Sequence, residues 1–301
     1  MGRLTVLVLG SAAGGGFPQW NCRCATCRLA WAGDARVRPR TQASLAVSAD
    51  GENWLLINAS PDLPQQVRQS KVLHPRSGTR GSPIKAVVLT GAEIDQVAGL
   101  LSLREREPLM VCATPATLAA LADNAMFGVL AADVVRRMAA IPGVPLMLPG
   151  EVEARVFMVP GKLPLYLEGE NPETASETAA NVGVEISARN ARLVYIPGAA
   201  AVTAAMMERI KRADLVFFDG TLFRDDEMIA SGTGAKTGRR MGHMPIDGQD
   251  GSLAVLEGVA GRRVYVHVNN TNPILIEGSP ERAEVERKGW EVAEDGMEIV
   301  L

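Results

Sequence analysis

The apolar positions of this chain change spacing as it proceeds. "LTVLVLG" (4–10) is a β-branched apolar run that stops at glycine, and it predicts a strand. "QASLAVSAD" (42–50) alternates with a period of two and runs into the turn pair Asp50-Gly51. "NWLLINAS" (53–60) follows at once, so the two read as a hairpin. "IKAVVLTG" (84–91) reads as a buried strand. The spacing then becomes helical in "AEIDQVAGLLSLRERE", with Ile94, Val97, Leu100, Leu101 and Leu103 apolar. "LMVCATP" (109–115) predicts a strand, and "PATLAALADNAMFGVL" a helix opened by proline. "ARVFMVPGKLPLYLEG" (154–169) reads as two short strands, and the polar "GENPETASETAA" (169–180) as a surface loop.

The second half repeats the theme. "NVGVEISA" and "ARLVYIPG" form a hairpin pattern around Arg189-Asn190, and "AAAVTAAMMERIKRA" is helical. "DLVFFDGT" is a strand ending in a carboxylate, and "GRRVYVHVNNTNP" a strand ending in histidine. "SPERAEVERKGWEVAEDGMEIVL" predicts a helix with proline in its first turn, then a strand and a hairpin-like tail. No low-complexity linker divides the halves. Two sheets packed face to face with helices outside satisfy this order. A doubly wound sheet competes, but hairpins and loops, not helices, join the first four strands. The glycine run Gly14-Gly15-Gly16 after Gly10 matches neither G-x-G-x-x-G nor a P-loop. It reads as close backbone packing rather than a phosphate cradle.

Composition narrows the class. The chain has 301 residues, 47% apolar and 22% charged, which is ordinary for a globular protein with a sizeable core. A net charge of −3 gives no footprint for nucleic acid. The apolar run at the start is too short for a signal core or a span, and no other stretch approaches membrane length. The expectation is a soluble cytoplasmic protein with no membrane partner.

That compartment disfavours disulfides, yet three of the four cysteines, Cys22, Cys24 and Cys27, stand within six positions in "CRCATC". Cys112, in the apolar "LMVCATP", reads as a small core residue. Three clustered thiols suit a structural zinc that takes its last ligand from elsewhere. The competing redox reading uses Cys24-x-x-Cys27, but no helix N-terminus is evident there and Cys22 would be surplus.

Polar residues gather where strands end. Glu93 and Asp95 follow strand 84–90, Asp219 ends "FFD", His267 ends "VYVH", and His243 sits in the glycine-flanked "MGHMP". Ligand sites of layered α/β folds are built at strand ends, and carboxylates with histidines there suggest a metal. Each has a plainer role open to it. Glu93 and Asp95 suit the first turn of a helix, Asp219 suits a turn, and the histidines could be structural. His74 reads as a surface residue.

Together "GSAAGGGFPQWNCRCATC", "RTQASLAVSADGENWLLINASPDLPQQV", "LLSLRERE", "FFDGTLFRDDEM", "KTGRRMGHMPIDG" and "HVNNTNPIL" resemble the coenzyme PQQ synthesis protein B (PqqB) family of the metallo-β-lactamase superfamily. So do "SPERAEVERKGWEV" and "DGMEI", and the likeness runs from about residue 4 to the end. It implies one metallo-β-lactamase-like α/β (α+β) domain over 1–301, an αββα sandwich of two mixed sheets with outer helices. It also implies a role in making pyrroloquinoline quinone (PQQ), a cofactor derived from a glutamate and a tyrosine of a precursor peptide. Two activities go with the family. One is an iron-dependent hydroxylase acting on the precursor tyrosine, with Fe(II) at the active site. The other is a carrier that moves PQQ or its precursor toward the periplasm. A chain without a membrane segment translocates nothing alone, which favours the enzyme.

The superfamily motif H-x-H-x-D-H falls on Gly91, Ala92, Glu93, Ile94, Asp95 and Gln96, so its histidines are all replaced. The next metal histidine of the superfamily would fall near Gly161. A dinuclear zinc hydrolase is therefore not expected. The resemblance leaves one metal on Asp95, Asp219 and His267, with Glu93 or His243 assisting. Related folds close a CxCxxC zinc site from near the last of these positions, so His267 or Asn270 would be its fourth ligand. A carrier would instead line a pocket for an anionic quinone with Lys236, Arg239 and Arg240.

Overall fold

The computed structural model describes residues 3–168 and 176–301. The first sheet is built from β1 (Thr5–Gly10), β2 (Ser44–Ser48), β3 (Trp54–Ile57), β4 (Ile84–Val88), β5 (Leu109–Ala113) and β6 (Val135–Ala139). The second takes β7 (Leu146–Leu148), β8 (Val152–Gly161), β9 (Ser176–Ala188), β10 (Ala191–Ile196), β11 (Leu215–Asp219), β12 (Arg262–Val266) and β13 (Trp290–Val292). The last strand, β14 (Glu298–Val300), returns to the first sheet beside β1. Strand orders are β14-β1-β2-β3-β4-β5-β6 and β13-β12-β11-β10-β9-β8-β7. Each sheet is antiparallel on one side and parallel on the other, with the changes at β3/β4 and β10/β11.

The inner strands, such as β2, β3, β11 and most of β1 and β10, bury both faces, which explains their near-continuous apolar runs. Val6, Val8, Leu45, Val47, Leu55 and Ile57 meet Val184, Ile186, Leu193, Tyr195, Phe217 and Val264 between the sheets. The alternate positions Leu7, Leu9, Leu56 and Val87 face outward onto Leu63, Val97, Leu100 and Leu121 of the helical layer. On the other side, Val194, Ile196, Val216 and Phe218 pack on Met206, Ile210, Val285 and Trp290. The result is the four-layered sandwich expected from sequence.

Several elements differ from the expectation. Helices α1 (Ala25–Trp31) and α2 (Leu63–Gln69) interrupt the first four strands, and α2 leads into the parallel pair β3/β4. The helix read after β4 is short: α3 spans Ile94–Val97 and continues as a 3₁₀ turn, Ala98–Leu103. Helix α4 (Pro115–Ala122) likewise gives way to a 3₁₀ segment at Ala125–Val129. Residues 154–169 contain one long strand, β8, not two short ones. The expected loop at 169–180 is strand from Ser176 onward, and its first part, 169–175, lies outside the described residues. Helices α5 (Ala204–Lys211), α6 (Glu227–Ala230), α7 (Ser252–Val255) and α8 (Pro280–Arg287) complete the outer layers. The tail is not a hairpin, since β13 and β14 join different sheets. No helix among the described residues is long and apolar enough to cross a membrane.

Candidate metal centres

The C-terminal ends of β4, β11 and β12 bring together residues far apart in sequence. Asp219, the last residue of β11, is fully buried. Its Oδ1 accepts from Thr221 N (3.0 Å) and Thr221 Oγ1 (2.6 Å), and its Oδ2 from Ala199 N (2.8 Å) and His243 Nδ1 (2.7 Å). His267 follows β12 with φ at 58°, a left-handed backbone unusual for a residue with a side chain. Its Nδ1 lies 2.9 Å from Thr221 Oγ1, and its Nε2 lies 3.2 Å from Asp95 Oδ2. The two imidazoles stack with centroids 5.4 Å apart. Ligand atoms of Asp219, His243 and His267 all lie within 4.8 Å of one another.

The proton positions follow from these contacts. The Thr221 hydroxyl has one proton, and its shortest contact is to the Asp219 carboxylate. His267 Nδ1 then donates to that hydroxyl, while His267 Nε2 faces the Asp95 carboxylate. Burial alone would push the His267 pKa down, but the hydrogen bond and charge of Asp95, with Asp219 behind, raise it overall. Burial would likewise raise Asp95 and Asp219. For Asp95 the His267 hydrogen bond and charge outweigh it, and for Asp219 the His243 charge and hydrogen bond do. Both carboxyls therefore end below the usual range. Ionised carboxylates facing two imidazoles are a donor set that suits a cation once the imidazole proton leaves. The Nδ1 of His243 is committed to Asp219, which leaves its Nε2 without a partner among the described residues.

Glu93 does not join this cluster. Its carboxylate is 3.1 Å from Lys162 Nζ and accepts from Leu165 N at 3.3 Å, and it caps α3. Of the two proposed helpers, His243 turns inward and Glu93 turns to the cavity rim. Thr221 was not foreseen; its only sequence signal is its place two residues after Asp219 in "FFDGT".

The cysteines form a second cluster. Cys24 is the N-cap of α1, so a helix N-terminus does stand at the motif, contrary to the sequence reading. Asn270 Nδ2 faces all three sulfurs, at 3.2 Å from Cys22, 3.6 Å from Cys24 and 3.3 Å from Cys27. His267 is engaged at the other cluster, and Asn270 is the residue that faces the sulfurs of this one. Burial pushes the Cys27 thiol up to about 12. Burial acts the same way on Cys24, yet hydrogen bonds from Thr26, the Cys27 backbone and the neighbouring thiols bring it below its ordinary value. Cys112 is buried in the inter-sheet core, as expected.

Glu227 braces the two clusters. Its carboxylate accepts from Thr271 Oγ1 (2.5 Å), beside Asn270, and from Phe223 N (2.8 Å), beyond Thr221. Burial pushes its carboxyl up to about 7 against the pull of these hydrogen bonds. A pKa raised on folding means that the folded state keeps the proton to higher pH. The stability tied to this group is therefore present at acid pH and is lost as pH rises from 4.5 toward about 7. Glu227→Gln should match the parent near about pH 5 and exceed it by up to about 3 kcal/mol near about pH 8. Paired thermal melts at the two pH values check this, and a pH-independent difference would contradict it.

A model of the beta-lactamase superfamily domain matches residues 53–267. Coenzyme PQQ synthesis protein B of Methylorubrum extorquens is 55% identical over 298 residues, covering 98% of this chain and 99% of that protein. The chain belongs to the coenzyme PQQ synthesis protein B family, a family of PQQ biosynthesis proteins. The crystal structure of Zn²⁺-bound PqqB from Methylobacterium extorquens superposes with a TM-score of 0.97 at 54% identity, covering 99% of this chain and 100% of that one. A diphosphatase of the PhnP family shares the fold, with a TM-score of 0.67 at 20% identity over 99% of this chain and 97% of its own. Gly91, Glu93, Gln96 and Gly161, at or near which the superfamily's histidines were expected to fall, offer no imidazole in this chain. Neither glycine has room for a side chain. A Cβ on Gly91 would fall 2.6 Å from Gln96 Oε1, and one on Gly161 would fall 2.2 Å from Asn181 Nδ2.

Proposed function

We propose that this PqqB family member serves PQQ synthesis in the cytoplasm as a mononuclear non-haem iron oxygenase that hydroxylates the tyrosine of the PQQ precursor. The whole chain acts as one metallo-β-lactamase-like domain. The observation that carries this reading is the Asp219–His243–His267 cluster, whose two imidazoles line a cavity together with Asp95 while Asp219 lies buried behind them. Two imidazoles and one carboxylate are the donor set of non-haem iron oxygenases, and three protein ligands leave positions for oxygen and substrate. Iron(II) bound there supplies dioxygen activation. The chain's own part would be to hold the ligands: Ala199 N and Thr221 fix Asp219, and Thr221 orients His267 through Nδ1, so that His267 Nε2, which now faces Asp95, would be the ligand atom once it gives up its proton. The cysteine cluster would hold a structural zinc with Asn270, because soft thiolates suit that ion. The Asn270 amide oxygen, not its nitrogen, would then face the metal, which needs only an amide flip.

The carrier reading loses its pocket. Arg239 pairs with Asp250 at 2.6 Å, Lys236 pairs with Glu168 at 3.6 Å, and neither of them nor Arg240 lines the cavity over the cluster. A hydrolase is disfavoured by the residues at 91, 93, 96 and 161, which offer no imidazole. The test is oxygen uptake. Iron(II)-loaded protein given a tyrosine-containing precursor and a two-electron reductant such as ascorbate under air should consume oxygen, one atom entering the ring and the other leaving as water, and should leave nitrophenyl phosphodiesters and β-lactams intact. Zinc-dependent turnover of either, without oxygen uptake, would overturn the proposal.

A further inference from the structure

The cavity of about 150 Å³ over the cluster has a second wall, made by Gln96, Asn181 and Lys162. Gln96 is only 9% exposed. Its Oε1 accepts from Glu93 N at 3.2 Å, which fixes the amide and leaves the Nε2 donor with no partner among the described residues. Asn181 is pinned the other way. Its Nδ2 donates to Val159 O (3.3 Å) and Gly198 O (3.2 Å), which leaves the Oδ1 acceptor without a partner among the described residues. Both amides line the same cavity. The point where a Gly91 Cβ would fall is 2.6 Å from Gln96 Oε1 and 3.0 Å from Ala180 O, the residue before Asn181. Lys162 Nζ spends two of its three N–H groups on Glu93 (3.1 Å) and Glu168 (2.5 Å).

A donor or acceptor held in place by its other contacts, with no protein partner of its own, is available to a ligand in the cavity it lines. Here two spare donors and one spare acceptor open onto a single cavity. Their complement is a carbonyl or carboxylate oxygen next to an N–H, the backbone unit of an amino acid. We propose that Gln96, Asn181 and Lys162 form a subsite that reads this unit of the substrate: its oxygen on Gln96 Nε2 and Lys162 Nζ, its N–H on Asn181 Oδ1. This orients the side-chain end toward His243 and His267, and it rests on the reading of the cavity as the tyrosine site. Gly91 and Gly161 are required because any side chain there would displace the two amides. The same chemistry comes from a free amino acid or from a residue within a peptide.

The test is calorimetric titration of the zinc-loaded protein with L-tyrosine, N-acetyl-L-tyrosine amide and 4-methylphenol. At least one of the first two should bind, and the phenol, which lacks the backbone unit, should bind about tenfold more weakly or worse. Preference for L-tyrosine identifies a carboxylate at Gln96 and Lys162; preference for the blocked amide identifies a peptide. Gln96→Leu and Asn181→Leu should each weaken the preferred probe about tenfold and leave the phenol unchanged. Asn181 also holds two main-chain carbonyls, so Lys162→Met at the cavity rim serves if Asn181→Leu fails to fold. The subsite is overturned if neither backbone-bearing probe binds, if the phenol binds as well as L-tyrosine, or if the folded variants bind like the parent. Failure of the oxygenase reading looks different: the probes bind as described, but the iron-loaded protein leaves the bound ring unhydroxylated.

Discussion

Replacing Asp219 by alanine should abolish binding of the active-site metal and lower PQQ production on the order of a thousandfold or more. The carboxylate is fully buried and joins both sides of the cluster, since it accepts from His243 Nδ1, Ala199 N and Thr221. Alanine removes one ligand and releases a second, because His243 loses the contact that aims its ring. It also orphans two main-chain donors, at about 1–3 kcal/mol each. Asp219→Asn separates charge from shape: it fills the same space, so the fold should survive while iron affinity and hydroxylation are lost. Metal content of the purified variants and PQQ measured in complemented cells are the readouts. A carrier would leave synthesis inside the cell near normal, so normal PQQ in cells carrying either variant would refute the enzymatic role.

Cys24→Ser should strip one zinc per chain and destabilise the protein by about 3 kcal/mol or more. Without a metal, the thiols meet Asn270 through N–H···S contacts of 3.2–3.6 Å and one S–H···O contact of 3.6 Å from Cys24 to the Asn270 carbonyl. Among the described residues, the Thr26 hydroxyl on that carbonyl is then the one strong tie between this segment and the end of β12. Zinc would fix the loop from Cys22 to Cys27 to Asn270, three residues beyond His267, so its loss should also loosen the active site. A chelator should lower the melting temperature of the parent toward that of the variant and leave the variant unchanged. A parent protein that is stable, free of zinc and rich in reactive thiols would restore the redox reading that Cys24 at a helix N-terminus keeps open.

Much of this fold is legible in the chain because strands buried on both faces announce themselves as apolar runs, as in "LTVLVLG" and "DLVFFDG". The failures have local causes. Strand β6 carries Arg136 and Arg137 on an exposed edge and has no apolar pattern to read. The first residues of β9 are polar because that strand runs partly exposed beside β8. Helix α2 hides behind Leu63-Pro64, and the tail resembles a hairpin because its two strands are adjacent in sequence though not in space. At the site, residue type gave Asp95, Asp219, His243 and His267, but not who meets whom. Asp95 and His267 touch across 172 positions, a separation no periodicity records. Thr221, Asn181 and Lys162 were missed because a threonine, an asparagine and a lysine carry no signal until the fold aims them into a cavity.

The most direct test of the central claim is the source of the oxygen in the product. Protein loaded anaerobically with iron(II) is mixed with the tyrosine-containing precursor and ascorbate, which supplies the two electrons that take the second oxygen atom to water, and is exposed to isotopically labelled dioxygen; the product is weighed by mass spectrometry. Hydroxylation at the Asp219–His243–His267 centre predicts label from dioxygen in the aromatic ring, and none when the label is supplied in water. Label arriving only from water, or a product formed at the same rate without oxygen, would contradict it.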